Sequence, residues 1–332
     1  MATMKYWQAV QLALKEELAR DPSVCVLGED VGRAGGAFGA TAGLLGAFGA
    51  ERVRDTPICE AGIVGVAVGA AMAGLRPVAE VMFMDFLGLA MDQLVNQAAK
   101  LRHMSAGRIG VPMVVRTICG AGRQTGPQHG QSFEAWLGHV PGLKVVWGST
   151  PADARGLLKA AIRDADPVVV IESLSLWGQS GDVPEGDGVV PIGRAAVRRA
   201  GRDVTVVAYG SAVHRALAAA RTLEGEGIEA EVLDLRTLNP LDEDGVLESL
   251  HRTRRLVVVH DAVGPCGTGA EIAALAAGKG YRDLDAPVVR VTAPFTLVPF
   301  VPALEQLYFP QAERIADAVR SVVRARRSEG RS

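Results

Sequence analysis

One carboxylate stands directly before the longest uncharged apolar stretch of the chain. Glu60 precedes a run from Ala61 to Leu75 without a charged residue, and the next charge is that of Arg76. The run is typical of a helix, and a helix dipole stabilises a carboxylate in its first turn by about 0.3–1 kcal/mol. Glu60 is therefore either an exposed acid at the start of a helix or a buried acid that takes part in chemistry. Taken alone, the pattern favours the exposed acid.

Among the six histidines, His129 is the best candidate for proton transfer. It lies in residues 119–131, which are rich in glycine, and is close in sequence to Gln128 and Gln131. Loops carry catalytic groups more often than regular elements do, and an unperturbed histidine titrates near neutral pH. The sequence shows neither the serine, histidine and aspartate arrangement of a hydrolase nor a metal-ligand spacing. His129 is thus an acid–base candidate without an assigned reaction.

Three glycine-rich segments could be mistaken for phosphate-binding loops. Residues 28–39 follow a predicted strand and precede a predicted helix, but they lack the GxGxxG order of dinucleotide sites, and residues 264–269 lack it too. Gly186-Asp-Gly resembles the start of a magnesium–diphosphate motif, but no asparagine follows at the required distance. Turn geometry explains all three segments.

The run after Glu60 predicts a helix over about residues 62–75 with small residues on one face. Gly65, Gly69 and Ala73 recur at every fourth position. A glycine inside a helix costs on the order of 1 kcal/mol relative to alanine, so the pattern indicates a backbone that is pressed against a neighbour. Packing on the chain's own sheet and packing against a second subunit both explain it.

The elements that position these residues alternate between strands and helices. An amphipathic helix over Tyr6–Arg20 is followed by crossover units of about 30 residues, a length typical of βαβ units, first up to Glu172 and again from Asp203. This order predicts an α/β fold with parallel sheets. The polar segment from Ser175 to Asp187 is rich in glycine and proline, as expected of a domain junction. A chain of 332 residues fits two such domains.

Composition limits the class of protein. With 48% hydrophobic and 22% charged residues, the chain can bury large cores. A net charge of −2 gives no reason to expect a nucleic acid partner. No apolar stretch reaches the roughly 20 residues that span a bilayer, no signal-peptide region is evident, and the four cysteines are scattered, which favours a reducing compartment. The composition therefore predicts a cytoplasmic protein without membrane contact. A mean hydropathy of +0.19 indicates that subunit contacts hide apolar surface.

A series of short segments, taken in order along nearly the whole chain, resembles one protein family. The segments are Leu27-Gly-Glu-Asp-Val, Asp55-Thr-Pro-Ile-Cys-Glu, Gly65-Val-Ala-Val-Gly-Ala-Ala-Met-Ala-Gly-Leu-Arg-Pro, Asp92-Gln, Pro127-Gln-His-Gly-Gln, Pro141-Gly-Leu-Lys-Val-Val, Ala161-Ile-Arg-Asp-Ala-Asp-Pro-Val-Val-Val and Leu235-Arg-Thr-Leu-Asn-Pro-Leu-Asp. The chain is similar to the beta subunit of the thiamine diphosphate-dependent, decarboxylating first component of 2-oxo acid dehydrogenase complexes. Members of this transketolase-like group act on pyruvate, branched-chain 2-oxo acids or acetoin.

The resemblance implies a fold, a partner and a cofactor. A pyrimidine-binding domain with a parallel sheet is expected over residues 1–190, and a transketolase C-terminal-like α/β domain over residues 191–332. The resemblance further implies an α2β2 heterotetramer in which the alpha subunit holds the diphosphate of thiamine diphosphate through Mg²⁺, so the chain alone should be inactive. Glu60 matches the glutamate that hydrogen-bonds the pyrimidine ring, where a desolvated carboxylate makes a strong bond. His129 matches the histidine that handles protons as the acyl group passes to a lipoyl acyltransferase.

Further residues are assigned by the same resemblance. Phe86 and Met82 match residues that pack against the pyrimidine, and Glu29 is expected to border the site. In relatives a potassium ion is bound by backbone oxygens, and the matching positions here are Met113, Ala161, Ile162, Asp164 and Asp166.

The sequence departs from the family around His129. Gly130 stands where relatives usually have serine, and Arg123 adds a positive charge to the same loop. Because of these changes, the sequence does not identify the donor substrate or the acyl acceptor. Split transketolase-like pairs, which move a two-carbon unit from a ketose phosphate to an acyl carrier protein in natural-product pathways, also resemble the chain, and Arg123 could pair with such a phosphate. A scaffold paralogue without catalysis is a third reading, against which the intact Glu60, Phe86 and His129 argue.

Overall fold

The computed structural model describes residues 1–325, so the last seven residues of the predicted second domain lie outside the described part. The described residues contain the strands β1 (Ala2–Lys5), β2 (Val24–Gly28), β3 (Val53–Asp55), β4 (Arg76–Phe83), β5 (Val114–Cys119), β6 (Lys144–Trp147), β7 (Val168–Ser173), β8 (Ser180–Val183), β9 (Ala196–Arg199), β10 (Val204–Ala208), β11 (Ala230–Asp234), β12 (Thr237–Asn239), β13 (Leu256–Val263) and β14 (Val289–Ala293).

The helices of the same residues are α1 (Tyr6–Arg20), α2 (Leu44–Phe48), α3 (Glu60–Met72), α4 (Leu87–Asp92), α5 (Ala99–Met104), α6 (Glu134–Gly138), α7 (Pro151–Arg163), α8 (Ala212–Glu224), α9 (Glu243–Thr253), α10 (Thr268–Gly278), α11 (Pro302–Tyr308) and α12 (Ala312–Arg324). A π-helical segment, Gln93–Ala98, joins α4 to α5, and 3-10 turns lie at Met84–Phe86, Leu174–Leu176 and Tyr281–Asp283. None of the helices in the described range is long and apolar enough to cross a membrane.

Seven strands form the first sheet, in the order β12-β6-β7-β5-β4-β2-β3. All of its pairs are parallel except the edge pair of β12 with β6. One face packs against α1 and α7, and the other against α3 and the helical stretch that begins at α4. Because helices cover both faces, the central strands are buried throughout, as their apolar sequences predict.

The second sheet has five strands in the order β14-β13-β10-β11-β9. Helices α8 and α12 cover one face and α9 and α10 the other. The apolar cluster that contains α3 and α4 continues into the side chains under α9 and α10, so the two sheets share one core. The predicted two-domain α/β fold is confirmed.

One strand crosses the predicted domain division. Strand β12 follows the predicted boundary in sequence, yet it extends the first sheet by pairing with β6. The division at residues 190 and 191 stays a prediction. Sequence patterns also missed the strands of three or four residues at β1, β3, β8 and β9, because such short segments show little periodicity.

A buried ion triad fixes the strands that lead to the candidate site. Arg116 on β5 donates to Glu80 on β4 (2.5 Å) and makes two bonds to Glu172 on β7 (2.8 and 2.9 Å). The three residues are at most 7% exposed. Since β4 ends at Phe83 and β5 leads into the His129 loop, the triad sets the spacing of both.

The small-residue helix divides its two faces between the sheet and the surface. The Cβ position of Gly65 lies 3.5 Å from Gln93 Oε1, so this glycine permits close packing within the chain. Gly69 faces open space, and Val66 and Met72 nearby are 64% and 46% exposed. Packing against the neighbouring helical segment of the same chain therefore explains the first glycine but not the second.

Candidate active site

Glu60 is the first residue of α3 and lies at the carboxyl-end edge of the first sheet. It is half-buried, and within residues 1–325 its carboxylate accepts no hydrogen bond. The preceding residue, Cys59, provides no side-chain cap. The dipole of α3 stabilises a negative charge at this position. Glu60 is therefore an acceptor without a partner, neither fully exposed nor enclosed by its own chain.

Glu29 lies directly after β2, close to Glu60. Burial raises the pKa of Glu29 above its ordinary value, and the charges of Asp30 and Glu60 raise it further. Asp55 at the end of β3 holds the turn that carries Glu29, because its carboxylate accepts the backbone N–H of Gly32 (2.6 Å). Two carboxylates thus share one end of the sheet, and their repulsion increases the proton affinity of Glu29.

Two phenylalanines enclose the ring of His129 edge-on. The centroid of the imidazole lies 4.9 Å from that of Phe83 and 5.2 Å from that of Phe86, with interplanar angles of 86° and 81°. Edge-to-face contacts of this kind fix a ring beyond the effect of burial alone. The contact of His129 with Phe86 supports the expected place of both residues in one site, whereas Phe83 was missed by sequence reasoning.

A β-bulge at Met82 sets the direction in which Phe83, and the turn that carries Phe86, leave strand β4. In the pairing of β4 with β5, Val81 lies opposite Thr117 and Phe83 opposite Ile118, so Met82 is the extra residue. Bulges bend a strand and are common next to active sites. Met82 itself is half-buried, and its expected contact with a pyrimidine stays a prediction.

Asp85 is a further site residue that sequence reasoning missed. Its Oδ1 accepts the backbone N–H (3.1 Å) and Nε2 (2.9 Å) of Gln131, and its Oδ2 is buried without a partner among the described residues. Burial raises the pKa of Asp85, while the bonds from Gln131 and the nearby His129 oppose the rise. The signal available in the sequence was an acid at the end of an apolar strand, directly before Phe86.

The loop that carries His129 closes on its own start. A Cβ on Gly120 would overlap the carbonyl oxygen of His129, and Thr125 Oγ1 donates to the carbonyl of Gly120 (3.0 Å). A Cβ on Gly130 would lie 2.9 Å from the carbonyl oxygen of Gly126. Glycine at position 130 therefore permits this tight closure.

Phe38, in the segment between β2 and β3, packs against the aromatic part of the site. Its ring lies 5.4 Å from that of Phe83, and its carbonyl accepts the indole N–H of Trp177 (2.8 Å). No contact in the described range joins Glu60 to His129 directly. Both lie in segments that follow parallel strands of one sheet, and such segments meet at a single edge, where α/β proteins bind ligands.

Glu134, at the start of α6, is buried between the two domains. Tyr209 donates to Glu134 Oε1 (2.6 Å), and its ring stacks on that of His260 at 5.9 Å and 14°. Glu134 Oε2 and both ring nitrogens of His260 have no hydrogen-bond partner among the described residues. Burial raises the pKa of Glu134 to about 7 and lowers that of His260 to about 4. Nothing in the sequence pattern singled out this cluster.

The predicted potassium ligands lie before β5, in the last turn of α7 and on the turn from α7 to β7: Met113, Ala161, Ile162, Asp164 and Asp166. Arg76 Nη1 donates to the carbonyls of Ile162 (2.9 Å) and Asp164 (2.8 Å). Lys144 pairs with the carboxylate of Asp164 (2.7 Å), and Arg102 with that of Asp166 (2.5 Å). Each carbonyl keeps a second lone pair, but the side chains of Arg76, Lys144 and Arg102 already place positive charge at this turn. Within residues 1–325, no group of three or more His, Cys, Asp or Glu side chains could hold a metal ion.

Two family models together match most of the chain. The transketolase pyrimidine binding domain matches residues 2–179, and the transketolase C-terminal domain matches residues 193–315. A solved structure described as a split gene transketolase, inactive beta4 tetramer, superimposes with a TM-score of 0.80 at 25% identity, over 98% of this chain and 100% of the other.

Characterised relatives are more similar in sequence. The beta subunit of acetoin:2,6-dichlorophenolindophenol oxidoreductase from Cupriavidus necator is 49% identical over 95% of this chain and 96% of its own. The beta subunit of 2-oxoisovalerate dehydrogenase from Bacillus subtilis is 45% identical over 97% of this chain and 99% of its own. The beta subunit of the pyruvate dehydrogenase E1 component from Rhizobium meliloti is 45% identical over 97% of this chain and 70% of its own.

Proposed function

The chain belongs to the family of beta subunits of thiamine diphosphate-dependent 2-oxo acid dehydrogenases, and on that premise we propose how its own residues serve the reaction. The protein is an oxidoreductase subunit that acts with an alpha subunit, and in this family the acyl unit passes to a lipoyl group. The observation that carries the site proposal is the convergence of the loops with Glu29, Glu60 and His129 at one edge of the first sheet.

Glu60 is proposed to hold the pyrimidine end of the cofactor. Thiamine diphosphate, when bound, supplies a nucleophilic carbon that also accepts electrons during decarboxylation. Glu60 fits the ring N–H because its carboxylate has no internal partner in the described range and lies at a helix start. Phe86 and Met82 would border the ring, and Glu29 would lie beside it. The diphosphate and Mg²⁺ are assigned to the alpha subunit.

His129 is proposed to donate and accept protons as the acyl group leaves for the lipoyl acceptor. Its ring is held by Phe83 and Phe86, so the two nitrogen atoms keep fixed directions. Asp85 fixes the loop two residues beyond, through Gln131. A histidine in such a frame suits acid–base catalysis, which contributes about 10²–10⁴-fold.

The test reconstitutes the alpha and beta subunits and measures oxidation of pyruvate, 3-methyl-2-oxobutanoate and acetoin with 2,6-dichlorophenolindophenol as the electron acceptor. Glu60→Gln is expected to lower turnover by about 10²-fold or more, because an amide cannot make the charge-assisted bond, while gel filtration shows intact assembly. Glu51→Gln, an exposed acid before β3, is the matched control. Equal turnover of Glu60→Gln and wild type would contradict the assignment.

A second candidate function, transfer of a two-carbon unit from a ketose phosphate to an acyl carrier protein, is supported by the split transketolase neighbour. Arg123 is exposed at the tip of the His129 loop, and no described residue pairs with it. Identity favours the dehydrogenases, at 45–49% against 25%. The same reconstituted pair, assayed with a ketose phosphate and a carrier protein, distinguishes the two functions: transfer with these substrates and no oxidation of 2-oxo acids would favour the second.

Fewer observations support the proposals for the subunit assembly and the cellular location of the protein. We propose an α2β2 heterotetramer and a lipoyl acyltransferase as the partner that receives the acyl group. The bare face of α3 around Gly69 supports a subunit contact there. Potassium at the α7–β7 turn is proposed as a structural ion. All four cysteines are unpaired, which supports a reducing compartment and hence the cytoplasm.

A further inference from the structure

The second domain reaches across to the middle of the loop that carries His129. We infer that Glu305, on α11, is a positioning residue for His129, acting through the backbone of that loop. This inference rests on the acid–base role proposed above for His129. Among the described residues, no hydrogen bond or ion pair joins Glu305 to His129 or to the residues that would hold the cofactor, so its effect on the reaction would be indirect.

The anchor is the buried carboxylate of Glu305, which accepts a hydrogen bond from a single backbone N–H, that of Gln124. Glu305 is 5% exposed, and both of its carboxylate oxygens lie 3.0 Å from the backbone nitrogen of Gln124. Gln124 has a φ of 58°, a left-handed conformation that is uncommon for a residue other than glycine. Such a conformation persists where neighbouring groups hold it in place. The charge-assisted bond that the backbone N–H of Gln124 donates to Glu305 supplies this constraint.

Apolar contacts from the same segment support the loop between Gln124 and His129 and directly after His129. A Cβ on Gly126 would overlap the ring of Phe300, so that ring lies directly on the loop backbone. The Cβ position of Gly130 lies 3.2 Å from Val298 Cγ1. Residues 298–305 of the second domain therefore form a support that follows the loop from its tip to the residue after His129.

The loop thus has one anchor in each domain. Asp85 fixes its end in the first domain through Gln131, and Glu305 fixes its middle. His129 lies between the two anchored positions, five residues after Gln124 and two before Gln131. A displacement of about 1 Å in a catalytic group can lower a rate by about 10²-fold. Loss of the Glu305 anchor should therefore affect the step that uses His129 more than the steps that do not.

The experiment compares Glu305→Ala, Glu305→Gln and Phe300→Ala in the reconstituted enzyme. Glu231→Ala is the matched control, because Glu231 is a buried carboxylate of the second domain that pairs with Arg252, away from the loop. Two activities are measured: reductive acylation of a free lipoyl domain, and oxidation of the donor with 2,6-dichlorophenolindophenol. Hydrogen exchange of peptides covering residues 120–131 reports the loop without reference to activity.

Glu305→Ala is expected to lower kcat of reductive acylation by about 10-fold or more, to change dye reduction by less than about 3-fold, and to speed exchange in the loop. Glu305→Gln, which keeps an acceptor oxygen, should restore most of the acylation rate. Phe300→Ala, at a largely exposed ring, should give a smaller loss without unfolding. Unchanged loop exchange in Glu305→Ala, or the same pattern in Glu231→Ala, would overturn the inference. His129→Asn is the reference: if it acylates normally while Glu305→Ala loosens the loop, the proposed role of His129 fails and the anchor stands.

Discussion

The buried carboxyl group of Glu134 should make the stability of the chain depend on pH near neutrality. Burial raises its pKa from the ordinary 4.5 to about 7, so the folded state binds the proton more tightly than the unfolded chain does. The contribution of this bound proton to the free energy of unfolding is fully present below pH 4.5 and is lost as the pH rises through about 7. The difference between the ordinary pKa of 4.5 and the raised value of about 7 corresponds to roughly 3 kcal/mol, most of which is lost between pH 5 and pH 8.

The substitution Glu134→Gln isolates this contribution. Glutamine keeps an acceptor for Tyr209 but does not titrate, so the difference in unfolding free energy between the variant and wild type should move by roughly 2–3 kcal/mol in favour of the variant from pH 5 to pH 8. Urea unfolding, followed by tryptophan fluorescence, measures it at fixed protein concentration; Trp147, whose ring lies 5.6 Å from that of Tyr209, contributes to this signal.

A second variant tests the cause of the shift. Tyr209→Phe removes the hydroxyl that stabilises the ionised carboxylate of Glu134. The contribution of the Glu134 proton to stability should therefore be lost at higher pH than in wild type. A difference between Glu134→Gln and wild type that stays constant within about 0.5 kcal/mol over the same range would refute the reasoning, since it would show that Glu134 has the same proton affinity in both states.

Two further substitutions test the supports of the site. Arg116→Met leaves the buried carboxylates of Glu80 and Glu172 uncompensated and should lower the unfolding free energy by about 3–5 kcal/mol in urea titrations; a loss below about 1 kcal/mol would contradict the importance of the triad. Gly120→Ala places a Cβ where the carbonyl oxygen of His129 lies, so the loop must move and reductive acylation should fall by about 10²-fold. Normal acylation by Gly120→Ala would mean that the loop tolerates displacement.

Patterns with strong periodicity were enough to predict the framework. The helix over Tyr6–Arg20 has the predicted ends, and α3 and β4 lie within a few residues of their expected bounds. These elements bury one face or lie wholly inside the sheet, so their sequences carry the signal. The resemblance added the partner and cofactor, and it placed Glu60, whose surroundings no periodicity could reveal.

What the sequence could not supply are contacts between segments far apart in the chain. Asp85 and Gln131 lie 46 residues apart, and Gln124 and Glu305 lie 181 apart. The bulge at Met82 depends on the register with β5, and the raised pKa of Glu134 depends on the second domain covering it. Each is set by tertiary packing, which local propensity does not report.

The placement of β12 has a consequence for synthesis of the chain on the ribosome. The edge of β6 is complete at Trp147, but the strand that covers it ends at Asn239, roughly ninety residues later. At about 5–20 residues per second, translation leaves that edge unpaired for about 5–18 s. An open strand edge can recruit other chains, so nascent polypeptides of intermediate length should be the species most dependent on chaperones.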